Sequence, residues 1–144
     1  MSSIRELKTV EEWKAAFPVI RQLRRTVNED TYLELVNQAS QNEGYHLMAL
    51  IEQEQIVAVT GFMPMTTLYN GPSVWVCDLV TDEACRSKGY GKQLLDAVEQ
   101  WAGAHGYSVI SLSTGLQRQD AHRFYQEKMG YDKTSYVFRK ELAE

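Results

Sequence analysis

Residues 73–92 constrain the fold more than any other stretch of this chain. Residues 73–81 carry Val74, Trp75, Val76, Leu79 and Val80 in near-continuous apolar order, the pattern of a central strand covered on both faces. The run passes through Arg86-Ser87-Lys88-Gly89-Tyr90-Gly91-Lys92 into residues 91–105, where Leu94, Leu95, Val98 and Trp101 recur at helical spacing and Gly106 follows as a stop. A buried strand handing over to an amphipathic helix needs a sheet with helices packed on it.

The flanking segments extend that pattern. Residues 4–8 read as a first strand. Thr9 and Glu12 form a capping box ahead of Val10, Trp13 and Phe17, which mark the buried stripe of a helix. Pro18, lacking an N–H, is expected to break or kink that helix. A second helical stretch, interrupted near residues 28–30, places Tyr32, Leu35, Val36 and Ala39 inward and stops at Gly44. Residues 45–51 and 56–62 form a hairpin, and residues 64–72 a loop carrying the turn signal Asn70-Gly71. A strand at 109–112, a helix at 120–128 and one or two strands within 131–142 complete a β-α-α-β-β-β-α-β-α-β order. This is an α/β chain: a mixed sheet flanked by helices. With 144 residues and no repeat or linker, residues 1–144 are expected to form a single domain.

Composition narrows the function. Apolar residues make up 44% and charged residues 24%, with a net charge of −4; a nucleic-acid binder would normally show a basic face, so none is expected as a partner. No run approaches the ~20 apolar residues of a membrane span, and the N-terminal stretch lacks the apolar core of a signal peptide. A cytoplasmic location follows as an expectation, with Cys77 and Cys85 as reduced thiols rather than a disulfide.

The turn after the strong strand suits an anion. Free N–H groups and the dipole at a helix start favour negative charge, and glycine permits positive φ and close approach of phosphate oxygens. Arg86, Lys88 and Lys92 add positive charge. Taken alone, the turn also fits a plain strand-to-helix connection with solvated basic residues. A dinucleotide fingerprint would need a glycine where Leu94 stands, and a P-loop would need Gly-Lys-Ser/Thr.

Arg86-Ser87-Lys88-Gly89-Tyr90-Gly91 is an R-x-x-G-x-G run directly after a strand. Further on, Ala121-His122-Arg123-Phe124-Tyr125 is followed by Met129-Gly130-Tyr131, in the spacing A-x-x-F-Y-x-x-x-G-F/Y. With both motifs in order, the chain resembles the GNAT superfamily of Gcn5-related N-acetyltransferases over nearly its whole length, most sharply at residues 74–131. The resemblance implies the GNAT acyl-CoA N-acyltransferase fold, with a mostly antiparallel central sheet. It implies acetyl-CoA as co-substrate, and a primary amine of a small molecule or peptide as acceptor, acetylated by direct attack in a ternary complex. A non-catalytic acyl-CoA-binding module and a lysine acetyltransferase are the alternatives. A homodimer is compatible with it.

By the same resemblance the diphosphate sits on Arg86, Ser87, Lys88, Gly89, Tyr90, Gly91 and Lys92. The pantetheine arm lies beside Leu79, Val80 and Thr81, where a main-chain N–H stabilises the oxyanion. Tyr125 protonates the departing thiolate, and Phe124 reads as core. Many members carry an asparagine where this chain has Arg118, which puts that pantetheine contact in doubt; Arg118 either reaches coenzyme phosphates or is solvated.

The base is less determined. Asp78, inside the apolar strand, is the leading candidate to accept the amine proton, unless strand alternation turns it to a backbone partner; Glu83, Glu43 and Glu29 are weaker candidates that read as solvated. Arg21, Arg24 and Arg25 share one side of a helix, as a solvated basic face or as the lining of the acceptor site. His46, His105 and His122 have no metal-site spacing, and no metal is expected.

Overall fold

The computed structural model describes residues 2–114 and 118–142. They fall into two compact units, Met1–Leu112 and Ser113–Glu144.

The first unit is a five-stranded sheet with helices on both faces. Its elements are β1 (Ser2–Leu7), α1 (Val10–Leu23), α2 (Glu29–Glu43), β2 (His46–Glu52), β3 (Gln55–Thr67), β4 (Gly71–Thr81), α3 (Tyr90–Ala104) and β5 (Ile110–Leu112). The strands lie in chain order, antiparallel from β1 to β4 and parallel only between β4 and β5. The mixed, mostly antiparallel sheet is therefore as read from the sequence.

Side-chain alternation divides the core between the two faces. Trp13, Ala16, Val19 and Ile20 of α1 join Tyr32 and Val36 of α2 against Leu47, Ala49, Val59 and Val80. On the other face Leu94 of α3 packs with Leu50, Val57 and Ala58. Trp13 and Tyr32 carry polar atoms into that core, and each is satisfied there: the Trp13 Nε1–H donates to the Leu7 carbonyl at 3.0 Å and the Tyr32 hydroxyl to the Trp13 carbonyl at 2.7 Å. The Thr9–Glu12 capping box forms as expected.

A break at Pro18 and a loop over residues 64–72 are not found. Helix α1 runs through Pro18 to Leu23. The proline removes one donor and leaves the Lys14 carbonyl without its intrahelical partner, and the helix continues nonetheless. The chain breaks instead after Leu23, and Asn28 caps α2 through Thr31 N–H. Residues 64–72 are no loop either: β3 and β4 continue through Pro64 into a long hairpin, with Pro64 opposite Val74. The Val74 N–H donates to Val109 on the β5 side, so in this pair the main-chain groups point away from each other. The N–H that Pro64 lacks would have faced the side that β2 leaves free, since the β2 ladder ends at His46–Phe62. No ladder bond is lost.

The second unit holds one short helix, α4 (Gln119–Arg123), continued by a π-helical turn over Phe124–Lys128. The strands expected within 131–142 are not found. A strand exists only with a partner, and this unit contains no other strand among its described residues. Tyr136, Val137 and Phe138 are exposed there.

Candidate active site

Strand β4 changes character half-way along. Gly61 of β3 faces Asp78 and Phe62 faces Val76, so Cys77 is an extra residue, a bulge in β4. Before the bulge, Val74, Trp75 and Val76 also pair with β5. Beyond it, residues 77–81 pair only with β3 among the described residues. The Asp82 N–H donates to the Val57 carbonyl of β3 at 2.8 Å. Alternation then points the main-chain groups of Val80 toward β3 and those of Leu79 and Thr81 toward the open side. The three residues expected beside the pantetheine arm thus divide: Leu79 and Thr81 have free edges, and Val80 packs its side chain into the α1 face.

This open half feeds the glycine turn. A short 3-10 turn, Glu83–Cys85, leads to an extended Arg86 and then to Ser87 with φ 67. Gly89 caps α3 with φ 79 and no side-chain cap bond. The Tyr90, Gly91 and Lys92 N–H groups precede the first intrahelical bond, from Gln93 to Gly89. A Cβ at Gly89 would meet nothing within 4 Å, so open space lies beside it. Uncapped donors, positive φ and that space fit a diphosphate. Arg86, Ser87 and Lys88 are exposed around it and Tyr90 is half-buried. Lys92 is engaged otherwise: its Nζ pairs with Asp96 at 2.8 Å.

Asp78 is held on three sides. Its Oδ1 accepts from Arg24 Nε at 2.9 Å, its Oδ2 from the Tyr45 hydroxyl at 2.8 Å, and its carbonyl from the Thr60 hydroxyl at 2.8 Å. Arg24 also donates from Nη2 to the Cys77 carbonyl at 2.8 Å, so one guanidinium grips both residues of the bulge. The Asp78 side chain retains 17% exposure, and a carboxylate has about four acceptor sites, which leaves it room for a further donor. Burial, then the Asp78 charge, pushes the Tyr45 hydroxyl well above the phenol range, so Tyr45 stays a donor. Burial likewise lifts the Cys77 thiol to about 12, leaving it neutral and a poor nucleophile.

Tyr45 and Gly61 were not singled out in the sequence, and they build this cluster together. A Cβ at Gly61 would run into the Tyr45 hydroxyl and ring; only glycine lets Tyr45 cross β3 to reach Asp78. The signal was a glycine inside a strand pattern, which marks close approach of another group. Of the three arginines read as one face, Arg24 leaves the helix as its C-cap and meets the protein's own carboxylate. Arg21 and Arg25 line a groove of about 660 Å³.

Within the second unit, Tyr125 lies in the π-helical turn. Its ring packs on Phe124 at 5.2 Å and Tyr131 at 6.1 Å between centroids. Burial raises its pKa, with Arg118 acting in the opposite direction; the phenol holds its proton at neutral pH. Phe124, expected in the core, is half-buried, and Arg118 is exposed. No cluster of metal-ligating residues occurs among the described residues; His46 pairs with Glu6 instead. No described helix is long and apolar enough to cross a membrane.

The family model of the acetyltransferase (GNAT) family matches residues 7–131. The chain belongs to the GNAT family. It is 45% identical over 140 residues to an uncharacterized N-acetyltransferase of Bacillus subtilis strain 168, covering 97% of this chain and 99% of that protein. Among solved structures it resembles a transcriptional regulator from Bacillus halodurans C-125, with TM-score 0.86, 22% identity and coverage of 99% and 100%. An aminoglycoside N-acetyltransferase in complex with CoA matches with TM-score 0.86, 17% identity and coverage of 99% and 95%. These two likenesses concern the fold. By family and relatives, this GNAT chain is an acetyltransferase.

Proposed function

We propose that this GNAT enzyme transfers acetyl from acetyl-CoA to a primary amine of a small molecule or peptide by direct attack. The single observation that carries the reading is the order of elements after the bulge: the one-sided half of β4 leads, through the turn at Glu83–Cys85, into an uncapped, glycine-initiated helix. That order matches an elongated ligand with an amide-bearing arm and a diphosphate. Leu79 and Thr81 extend the sheet onto the arm. The N–H groups from Ser87 to Lys92 hold the diphosphate, with Arg86 and Lys88 adding charge.

In the transfer, the neutral amine nitrogen bonds to the thioester carbonyl carbon and the carbon–sulfur bond breaks. Asp78, directly or through water, takes the proton the nitrogen loses. Tyr125 gives its proton to the departing sulfur, and solvent returns one to the phenol. A main-chain N–H at the open edge stabilises the carbonyl oxygen as charge develops; such a donor contributes about 3 kcal/mol in a comparable setting.

Calorimetric titration of acetyl-CoA and a thiol-release assay with an amine panel test the reading. Gly89→Glu places a carboxylate against the diphosphate and is expected to abolish saturable binding. Tyr125→Phe is expected to keep binding and slow turnover about 10²–10⁴-fold, the usual range for a general acid. Acetyl-CoA binding without thiol release on any amine would leave a coenzyme-binding module instead.

A further inference from the structure

We infer that the groove beside α1 is the acceptor site and takes an amine that also carries an anionic group, a carboxylate or a phosphate. This rests on the acetyl-transfer reading. The groove is walled by the last turn of α1, the segment after it, the start of α2, and Glu83 after β4. Three bonds fix that wall to the one-sided half of β4 and the turn after it. The Glu83 N–H donates to Gln22 Oε1 at 2.9 Å, and Arg24 holds Cys77 and Asp78. These contacts tie the wall of the groove to the strand stretch assigned to the thioester.

The charges of the groove indicate the acceptor's chemistry. Arg24 is occupied by Asp78, but Arg21 and Arg25 make no ion pair among the described residues. Glu29 and Glu83 line the same groove and likewise pair with no cation, although two guanidinium groups share it. All four side chains are exposed, and an open groove presenting both signs unpaired is complementary to a zwitterion. The planar guanidinium forks match carboxylate and phosphate oxygens, and the carboxylates receive the ammonium before it loses its proton. A polyamine would set its second cation against Arg21 and Arg25, and a neutral amine would leave both unused. Phe17 and Pro18 provide an apolar wall for a short aliphatic spacer between the two groups.

Thiol release from acetyl-CoA with matched acceptors tests this. β-Alanine and phosphoethanolamine are compared with β-alanine methyl ester, with propylamine and with spermidine. The acids are expected to exceed the ester and propylamine at least tenfold in kcat/KM, and their own ranking tells carboxylate from phosphate. Arg21→Ala and Arg25→Ala are expected to raise KM for the preferred acid about tenfold or more, as loss of a charged hydrogen bond does, and far more than for the ester. Equal or better turnover of ester, propylamine or spermidine overturns the inference, as does an equal KM rise for acid and ester. If no amine releases thiol, the transfer reading fails. Titration of the two acids into CoA-saturated protein then decides the inference alone: saturable binding lost in the double variant upholds it, and absence of saturable binding overturns it.

Discussion

The two halves of β4 are made of similar residues and do different work. From Val74 to Val76 the strand is paired on both sides, and Ser73, Val74 and Val76 are buried. There both main-chain edges are paired, and the Val74 and Val76 side chains belong to the core. From Cys77 onward the second ladder is missing among the described residues, leaving a free strand edge, and the strand's one carboxylate is held by Arg24 and Tyr45. The inserted residue at the bulge separates scaffold from site. Variants on either side of it should therefore separate stability from activity.

The largest effect is expected at Asp78. Asp78→Asn keeps the shape and is expected to lower kcat about 10²–10⁴-fold while the thermal midpoint moves only a few degrees. A turnover near the parent's would remove Asp78 from the chemistry and leave the Arg24–Tyr45 cluster as a structural clasp. On the scaffold side, Phe62 is fully buried opposite Val76. Phe62→Ala is expected to cost about 3–5 kcal/mol in urea unfolding, with kcat per folded molecule little changed. A loss of kcat as large as that of Asp78→Asn would erase the distinction between the halves.

Gly61 tests the boundary itself. Gly61→Ala forces a methyl into the Tyr45 ring and is expected to cost about 1–3 kcal/mol as overpacking. It should also lower kcat, because Tyr45 is driven off Asp78. The smallest effect concerns Cys77. A thiol lifted to about 12 is almost wholly protonated at pH 8, and only the thiolate alkylates. Iodoacetamide with mass-spectrometric readout is expected to label Cys85 first and Cys77 slowly, with Cys77 labelling rising as pH approaches its pKa. Prompt labelling of Cys77 would mean that the bulge opens in solution.

The motifs at Arg86–Gly91 and Phe124–Tyr125 were legible because they are local. The turn needs glycine for a positive φ, and the capping box at Thr9 needs side chains three residues apart; both requirements show within a few letters. Continuous β3 through Pro64 was not legible, since its legitimacy depends on which side of the strand β2 abandons. The absence of a break at Pro18 was not legible for a similar reason: Val19 and Ile20 are buried, and their packing offsets one lost donor. Residues 131–142 have strand-like letters, but a ladder needs a partner that no single segment can supply.

The sequence by itself determined the family and the kind of fold, and it set the expectation for the donor side of the chemistry. Those rest on short-range patterns: an apolar strand, a glycine turn at a helix start, an aromatic pair at fixed spacing. Only the tertiary structure decided what surrounds Asp78. Arg24 lies 54 residues away in the chain and Tyr45 33 residues away, and Gly61 matters only because Tyr45 crosses it. It also showed that Arg24 is spent while Arg21 and Arg25 face a groove. Charge pairing is a property of distances in space, and the order of residues along the chain does not contain them.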